Sequence, residues 1–284
     1  MAGEDLAHGL GETGGVDLAL DHRVREPGVE EVAELRGRLL EYSTTGDEAK
    51  RVAVDPIFGL ENSFKVYYGQ QGALTDPAFM ARKRQEEADL RQRVAADPEL
   101  AARIGDPWAD LERVAQAQRD LYLPYRQLES GPRSQLYSYA KAIVRAAKER
   151  AKPVAERRPG YTDADIAALG RRLAQNAPIS NDIEQIYMSF WLSKTREYLT
   201  VDNANVKALL GKDSPEGLSA RLVEGTQLAD PAVRRALWEG GLAAVQAFNY
   251  LMPSAVIRLL AILRTGARYA ERVAGHEAAL RAFA

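Results

Sequence analysis

Gly59-Leu60-Glu61-Asn62-Ser63-Phe64-Lys65-Val66-Tyr67-Tyr68-Gly69 crowds amide, hydroxyl, ammonium and aromatic groups into about three helical turns. Asp55-Pro56 just ahead supplies a side-chain cap and a residue pre-set for a first turn, so the spacing predicts a helix from Ile57 to Tyr68, stopped at Gly69. Phe58, Asn62, Lys65 and Gly69 fall near one side of that helix, and Leu60, Phe64, Tyr67 and Tyr68 form its apolar arc. Two readings stay open for the polar side. It is the solvated face of an ordinary amphipathic helix, or Asn62 reaches into a cleft and hydrogen-bonds a ligand.

Outward from this stretch the chain punctuates itself with Asp-Pro, at 55–56, 76–77, 97–98, 106–107 and 230–231, each pair ahead of a helix-forming run. These pairs read as helix starts. Between Ala78 and Ala96 charges of both signs interleave, which predicts a solvated helix and not a basic stripe for nucleic acid. Trp108, Leu111, Val114, Leu121 and Tyr122 mark a longer helix that Pro124 kinks or ends; after Ser130-Gly131-Pro132, the positions Leu136, Tyr139, Ile143 and Ala147 mark another, to about Arg150. The cluster Tyr122, Tyr125, Tyr137 and Tyr139 reads as core or core edge, with a groove lining as the sharper alternative. Thr162-Asp163 and Ser180-Asn181 open two further helices, the second carrying Ile183, Phe190 and Trp191, with Trp191 as a buried anchor. Shorter runs over 206–210, 215–223 and 231–238 each stop at glycine, which predicts left-handed caps.

No alternating β-branched run bounded by turn signals occurs, so the expected fold is all-α, an irregular multi-helix domain of about nine to twelve helices in antiparallel pairs. Residues 1–28, with six glycines and no period, read as a flexible tail ahead of a helical domain over 29–284. A helix from Val29 to about Tyr42, broken by Thr44-Thr45-Gly46, opens that domain.

Composition closes off several function classes. The 38 basic and 40 acidic residues leave a net charge of −2, which provides no electrostatic footprint for nucleic acid. The absence of cysteine excludes disulfides, thiolate ligands and a thiol nucleophile. His8, His22 and His276 are far apart and form no metal-binding pair, so neither metal nor other cofactor is expected. No run approaches the roughly 20 apolar residues of a membrane span, and residues 1–21 lack the basic start and apolar core of a secretory signal. The compartment is left open.

Four stretches carry a resemblance: GLENSFKVYYG from 59, DPWADLERVAQAQRDLYLPYRQLES from 106, GPRSQLYSYAKAIVRAAKERAKPVAER from 131, and the long run from Phe190 to Gly241. In this order they resemble the helical domain of bacterial dipeptidyl aminopeptidases that include dipeptidyl-peptidases 7 and 11, most strongly over residues 44–242. Such enzymes are serine peptidases in which a large helical domain is inserted into a chymotrypsin-like double β-barrel. The resemblance implies a cap that closes over substrate and grips the free amino terminus of a peptide. An ammonium needs oxygen acceptors in a water-poor pocket, and by motif match Asn62 is the residue implied for that contact, with Tyr67, Tyr68 and Trp191 as cleft lining.

The catalytic set of such enzymes has no counterpart in the residues. Neither a Gly-Asn-Ser-Gly nor a Gly-Asp-Ser-Gly turn occurs, and in Lys212-Asp213-Ser214-Pro215 a proline stands where the glycine would be. No GxSxG elbow or SxxK pair replaces it. The expectation is therefore a catalytically incomplete cap, either a fragment of a longer enzyme or a chain that works with a separately encoded β-barrel, with a second copy of the chain as the other candidate partner. A stand-alone helical interaction module is the alternative. An exposed apolar patch would favour the cap, because an adapted stand-alone domain would cover it. The apolar segment from Phe248 to Leu263 reads either as cover for the former barrel contact or as a dimer face.

Overall fold

The computed structural model describes residues 22–251, and every regular element among them is helical. Eleven α-helices follow one another: α1 (His22–Ser43), α2 (Asp47–Thr75), α3 (Pro77–Ala95), α4 (Pro98–Ile104), α5 (Pro107–Tyr125), α6 (Gln135–Arg150), α7 (Asp163–Leu173), α8 (Asn181–Leu199), α9 (Ala204–Leu210), α10 (Pro215–Glu224) and α11 (Pro231–Leu251). A π-helical turn, Arg126–Ser130, extends α5, and a 3-10 turn, Val154–Glu156, follows α6. The all-α expectation holds for the described residues. The expectations for the tail over 1–21 and for residues 252–284, including the apolar segment to Leu263, lie outside them.

Four of the five Asp-Pro pairs start helices. Asp76, Asp97, Asp106 and Asp230 each accept a hydrogen bond from a first-turn amide, at 2.8, 3.0, 3.0 and 2.7 Å. Such a cap contributes about 1 kcal/mol. Asp55-Pro56 does not start one: α2 begins eight residues earlier at Asp47 and runs through Pro56, Gly59, Gly69 and Gly72. Ala49, Ala53 and Leu60 are buried along this helix, and that stripe outweighs the bond lost at Pro56 and the low helix propensity of the glycines. α1 starts at His22, so residues 22–28 belong to a helix.

The glycine stops are of two kinds. Gly211 caps α9 with φ 59°, as expected. Gly225, by contrast, has φ −81°; a methyl group there would come within 2.7 Å of the Arg221 carbonyl, so close backbone approach and not a left-handed turn requires it. Gly241, at φ 57° and ψ −141°, interrupts α11 with a kink where an end of the helix was expected.

The chain divides into two compact units, with boundaries inside α1, α2 and α5: residues 22–41 and 54–122 in one, 42–53 and 123–251 in the other. In the first, α3 packs on α4, and Leu60 and Met80 are among its buried apolar residues. The second holds the large core. There α8 packs chiefly against α10, with α9 and the π turn also against it, while α6 packs against α11, which also meets α7. Leu128, Tyr137, Ile143, Trp191, Leu192 and Leu218 lie in one continuous cluster. Gly170 of α7 allows a close crossing, since a methyl group there would meet the Trp238 indole at 2.9 Å.

Candidate functional site

The face of α2 that includes Asn62 is built from residues the fold does not use. Leu60, fully buried, anchors the opposite side of the helix, and Arg36 of α1 donates twice to Glu61, at 2.8 and 3.1 Å. The Tyr67 ring packs beside Gly28, where an added methyl group would touch it at an ordinary 3.8 Å, and Phe64 stacks on Tyr68 with ring centroids 5.8 Å apart. These contacts fix the rotation of the helix. With Leu60 inward, Phe58, Asn62, Lys65, Val66 and Gly69 turn outward together at helical spacing.

What faces outward is chemically mixed. Phe58 is 64% exposed, Tyr68 63%, Val66 56% and Tyr67 38%. The Asn62 amide and the Lys65 ammonium are exposed as well, and neither has a hydrogen-bond or ion-pair partner among the described residues. An amide oxygen on such a strip is free to accept from an ammonium, and the neighbouring rings and Val66 offer apolar surface that a bound group would desolvate. Asn62, Tyr67 and Tyr68 therefore share one helix in the first unit. Trp191 does not belong to that group. It lies on α8 in the core of the second unit, 5% exposed; its indole N–H donates to the Gln127 carbonyl at 2.8 Å, and its ring tilts against Tyr137 at 5.7 Å. Its role there is packing.

The second unit holds a buried ionic cluster that sequence reading passed over. Glu129 of the π turn accepts both guanidinium nitrogens of Arg145, and Lys141 binds both its carboxylate, at 3.2 Å, and its backbone carbonyl. Burial pulls the Lys141 ammonium below its usual pKa against the pull of Glu129. For Arg145, burial works the same way, but the paired carboxylate outweighs it and raises the pKa. Burial, with the Glu129 charge adding to it, pushes the Tyr137 phenol far up, and its hydroxyl has no hydrogen-bond partner. The only sequence signal was a lysine and an arginine four residues apart on α6; the carboxylate lies twelve residues before the lysine. Nearby, Gln127 accepts from Thr195 at 3.1 Å, so polar groups rivet the π turn to α8. Tyr137 and Tyr139 are both buried in the core cluster, and the edge of Tyr139 also lines a cleft.

Ser214, the serine nearest in sequence to a nucleophile motif, is the N-cap of α10 and accepts from the Gly217 amide at 3.0 Å. Asp213 pairs with Arg221. Both groups are thus engaged in holding a helix start. No helix among the described residues is long and apolar enough to cross a membrane.

Set against known proteins, residues 16–282 match the family model described as Peptidase S46. No curated protein matches the chain.

Proposed function

This chain belongs to the peptidase S46 family, and from that premise we propose that it is the substrate-gating helical cap of a dipeptidyl aminopeptidase-like serine peptidase, incomplete as a catalyst by itself. The parent activity is release of dipeptides from peptide amino termini. In this reading Asn62 accepts a hydrogen bond from the substrate's terminal ammonium, and Tyr67 and Tyr68 flank it.

The observation that carries the reading is the outward face of α2. Asn62 and Lys65 stand there without partners beside the solvent-facing Phe58, Val66 and Tyr68. Stability alone does not select exposed aromatic groups with unpaired polar ones between them; a face that meets substrate and a second protein surface does. The interaction-module alternative is less well supported, because a domain adapted to stand alone would cover these rings.

The test has two arms. Asn62→Ala in a complete enzyme of the family should lower kcat/KM for dipeptidyl-chromophore substrates by about tenfold or more, the size of a lost hydrogen bond to a charged group. Unchanged hydrolysis would remove Asn62 from the site. The purified chain should hydrolyse none of the same substrates. Hydrolysis that a serine-reactive phosphonate abolishes would overturn the incomplete-cap reading, and Ser214→Ala would then be the first variant to make.

A further inference from the structure

A second candidate site lies within the second unit, between the start of α6 and the end of α7. Arg133, Gln135 and Tyr139, at the start of α6, face Arg172, Leu173 and Gln175, at the end of α7, across an open cleft of about 460 Å³. Leu169, Ala142 and Ala177 supply apolar wall, and no lining residue is acidic. That volume suits a small organic molecule.

The electrostatics of the cleft are one-sided. Arg133 and Arg172 are exposed, and neither has an ion-pair or hydrogen-bond partner among the described residues. Beneath the floor lies a third cation. Arg234, 0% exposed, donates to four carbonyls, those of Leu173, Gln175, Leu228 and Ala229, at 2.6–2.8 Å, and no carboxylate pairs with it. Its guanidinium sits 4.2 Å from the centroid of the Tyr139 ring. A buried charge without a counter-ion is costly, and carbonyl dipoles offset only part of that cost. The ordinary explanation for Arg172 is that a cation favours a helix C-terminus. Here Arg234 already donates to the carbonyl of Leu173, the last residue of α7, and to that of Gln175 just beyond it. The buried Glu184 beside the start of α6 is taken up by the Ser134 hydroxyl and the amides of Gln135 and Leu136.

We propose that this cleft binds an organic carboxylate with an apolar body and no ammonium group. The carboxylate lies between Arg133 and Arg172, whose planar forks match it. The Tyr139 hydroxyl, which accepts from the Gln135 side chain at 2.7 Å, keeps its own hydrogen free to donate to the ligand. The body rests on Leu169 and Leu173. A zwitterion would bring its ammonium into a field of three cations, which the site disfavours.

Calorimetric titration of the full chain with N-acetyl-L-leucine tests this, with N-acetyl-L-leucinamide, free leucine and acetate as controls. The acylated acid should bind with Kd at or below about 1 mM and weaken as salt rises. The three controls should each bind at least about tenfold more weakly, lacking respectively the charge, the permitted amino end and the body. Arg133→Ala and Arg172→Ala, both at exposed positions and checked for unchanged helicity by circular dichroism, should each cost about tenfold. Absence of binding, equal binding of the amide, or unchanged affinity in the double variant overturns the proposal. None of these readouts depends on peptidase activity, so their failure would leave the cap reading where it stood.

Discussion

Residues 58–69 of α2 leave an amide and an ammonium without partners and four large apolar side chains turned toward solvent, whereas around the π turn Glu129 is bonded to Lys141 and Arg145, Gln127 to Thr195, and two tyrosines are buried. Both stretches are helical and both mix charge with aromatic rings. The contrast lies in what the side chains answer to. Around the π turn they answer to the rest of the fold, and on α2 they are left for something outside it. If that division is real, the same kinds of substitution should have opposite consequences in the two places.

The largest effect should come from Glu129→Ala. It leaves Arg145 and Lys141 facing each other, largely buried, with no counter-charge. Breaking such a cluster from one side costs about 3–5 kcal/mol. Chemical denaturation of the variant should therefore show a much lower midpoint with the cooperative slope retained. A loss under about 1 kcal/mol would mean the cluster is solvated and belongs with the surface pairs such as Arg36–Glu61.

Next is Gly131→Ala, at about 2–3 kcal/mol. Gly131 has φ 72° and ψ −167°, backbone open essentially to glycine alone, and an added methyl group would lie 2.4 Å from the Tyr137 ring. That ring cannot swing aside, because it is buried against Trp191. Tyr137→Phe tells the two costs apart: by removing an unpaired buried hydroxyl it should be neutral or slightly stabilising alone. Combined with Gly131→Ala, it should recover part of the loss.

How much of this was legible beforehand divides along the same line. Local chemistry was readable: four aspartates that cap helices, the break at Thr44–Gly46, the stripe through Leu136, Ile143 and Ala147. Pro56 misled because a proline that follows aspartate looks like a start, while the buried Ala49 and Ala53 that carry α2 through it depend on tertiary packing. The ionic cluster and Arg234 were out of reach for the same reason. Glu129 meets Arg145 16 residues on, and Arg234 reaches carbonyls up to 61 residues back, with nothing local to announce either. On α2 the sequence could mark Asn62 as unusual, but only the inward turn of Leu60 shows that Asn62 points away from the core.

A smaller effect concerns pH. Burial raises the pKa of Glu149, but the Lys152 ammonium at 2.8 Å and the Arg158 amide at 3.0 Å more than offset it and hold the carboxyl low. A carboxyl depressed in the fold stabilises fully above its unfolded pKa, and that contribution is lost as pH falls through the folded value. The Tm difference between the wild type and Glu149→Gln should be steady near neutrality and shrink as pH falls below the usual glutamate range toward the lower folded value. A difference that does not shrink at all on acidification would take the charge out of the explanation.

The smallest effect should carry the opposite sign. Gly59 lies inside α2 on the outward face, and an added methyl group would meet nothing within 4 Å. Gly59→Ala is therefore expected to raise stability by about 0.5–1 kcal/mol, where the same change at Gly131 lowers it. A stabilising alanine at an open helical position raises the question of why glycine stands there. The outward face answers it: a glycine three residues before Asn62 lets another backbone or a ligand come close, and a methyl group would hold it off. Gly59→Ala in a complete enzyme should thus gain in Tm while losing activity on dipeptidyl substrates. Were it to gain stability and keep full activity, nothing would approach α2 at Gly59, and the surface engaged by a partner would have to lie nearer Lys65 and Gly69.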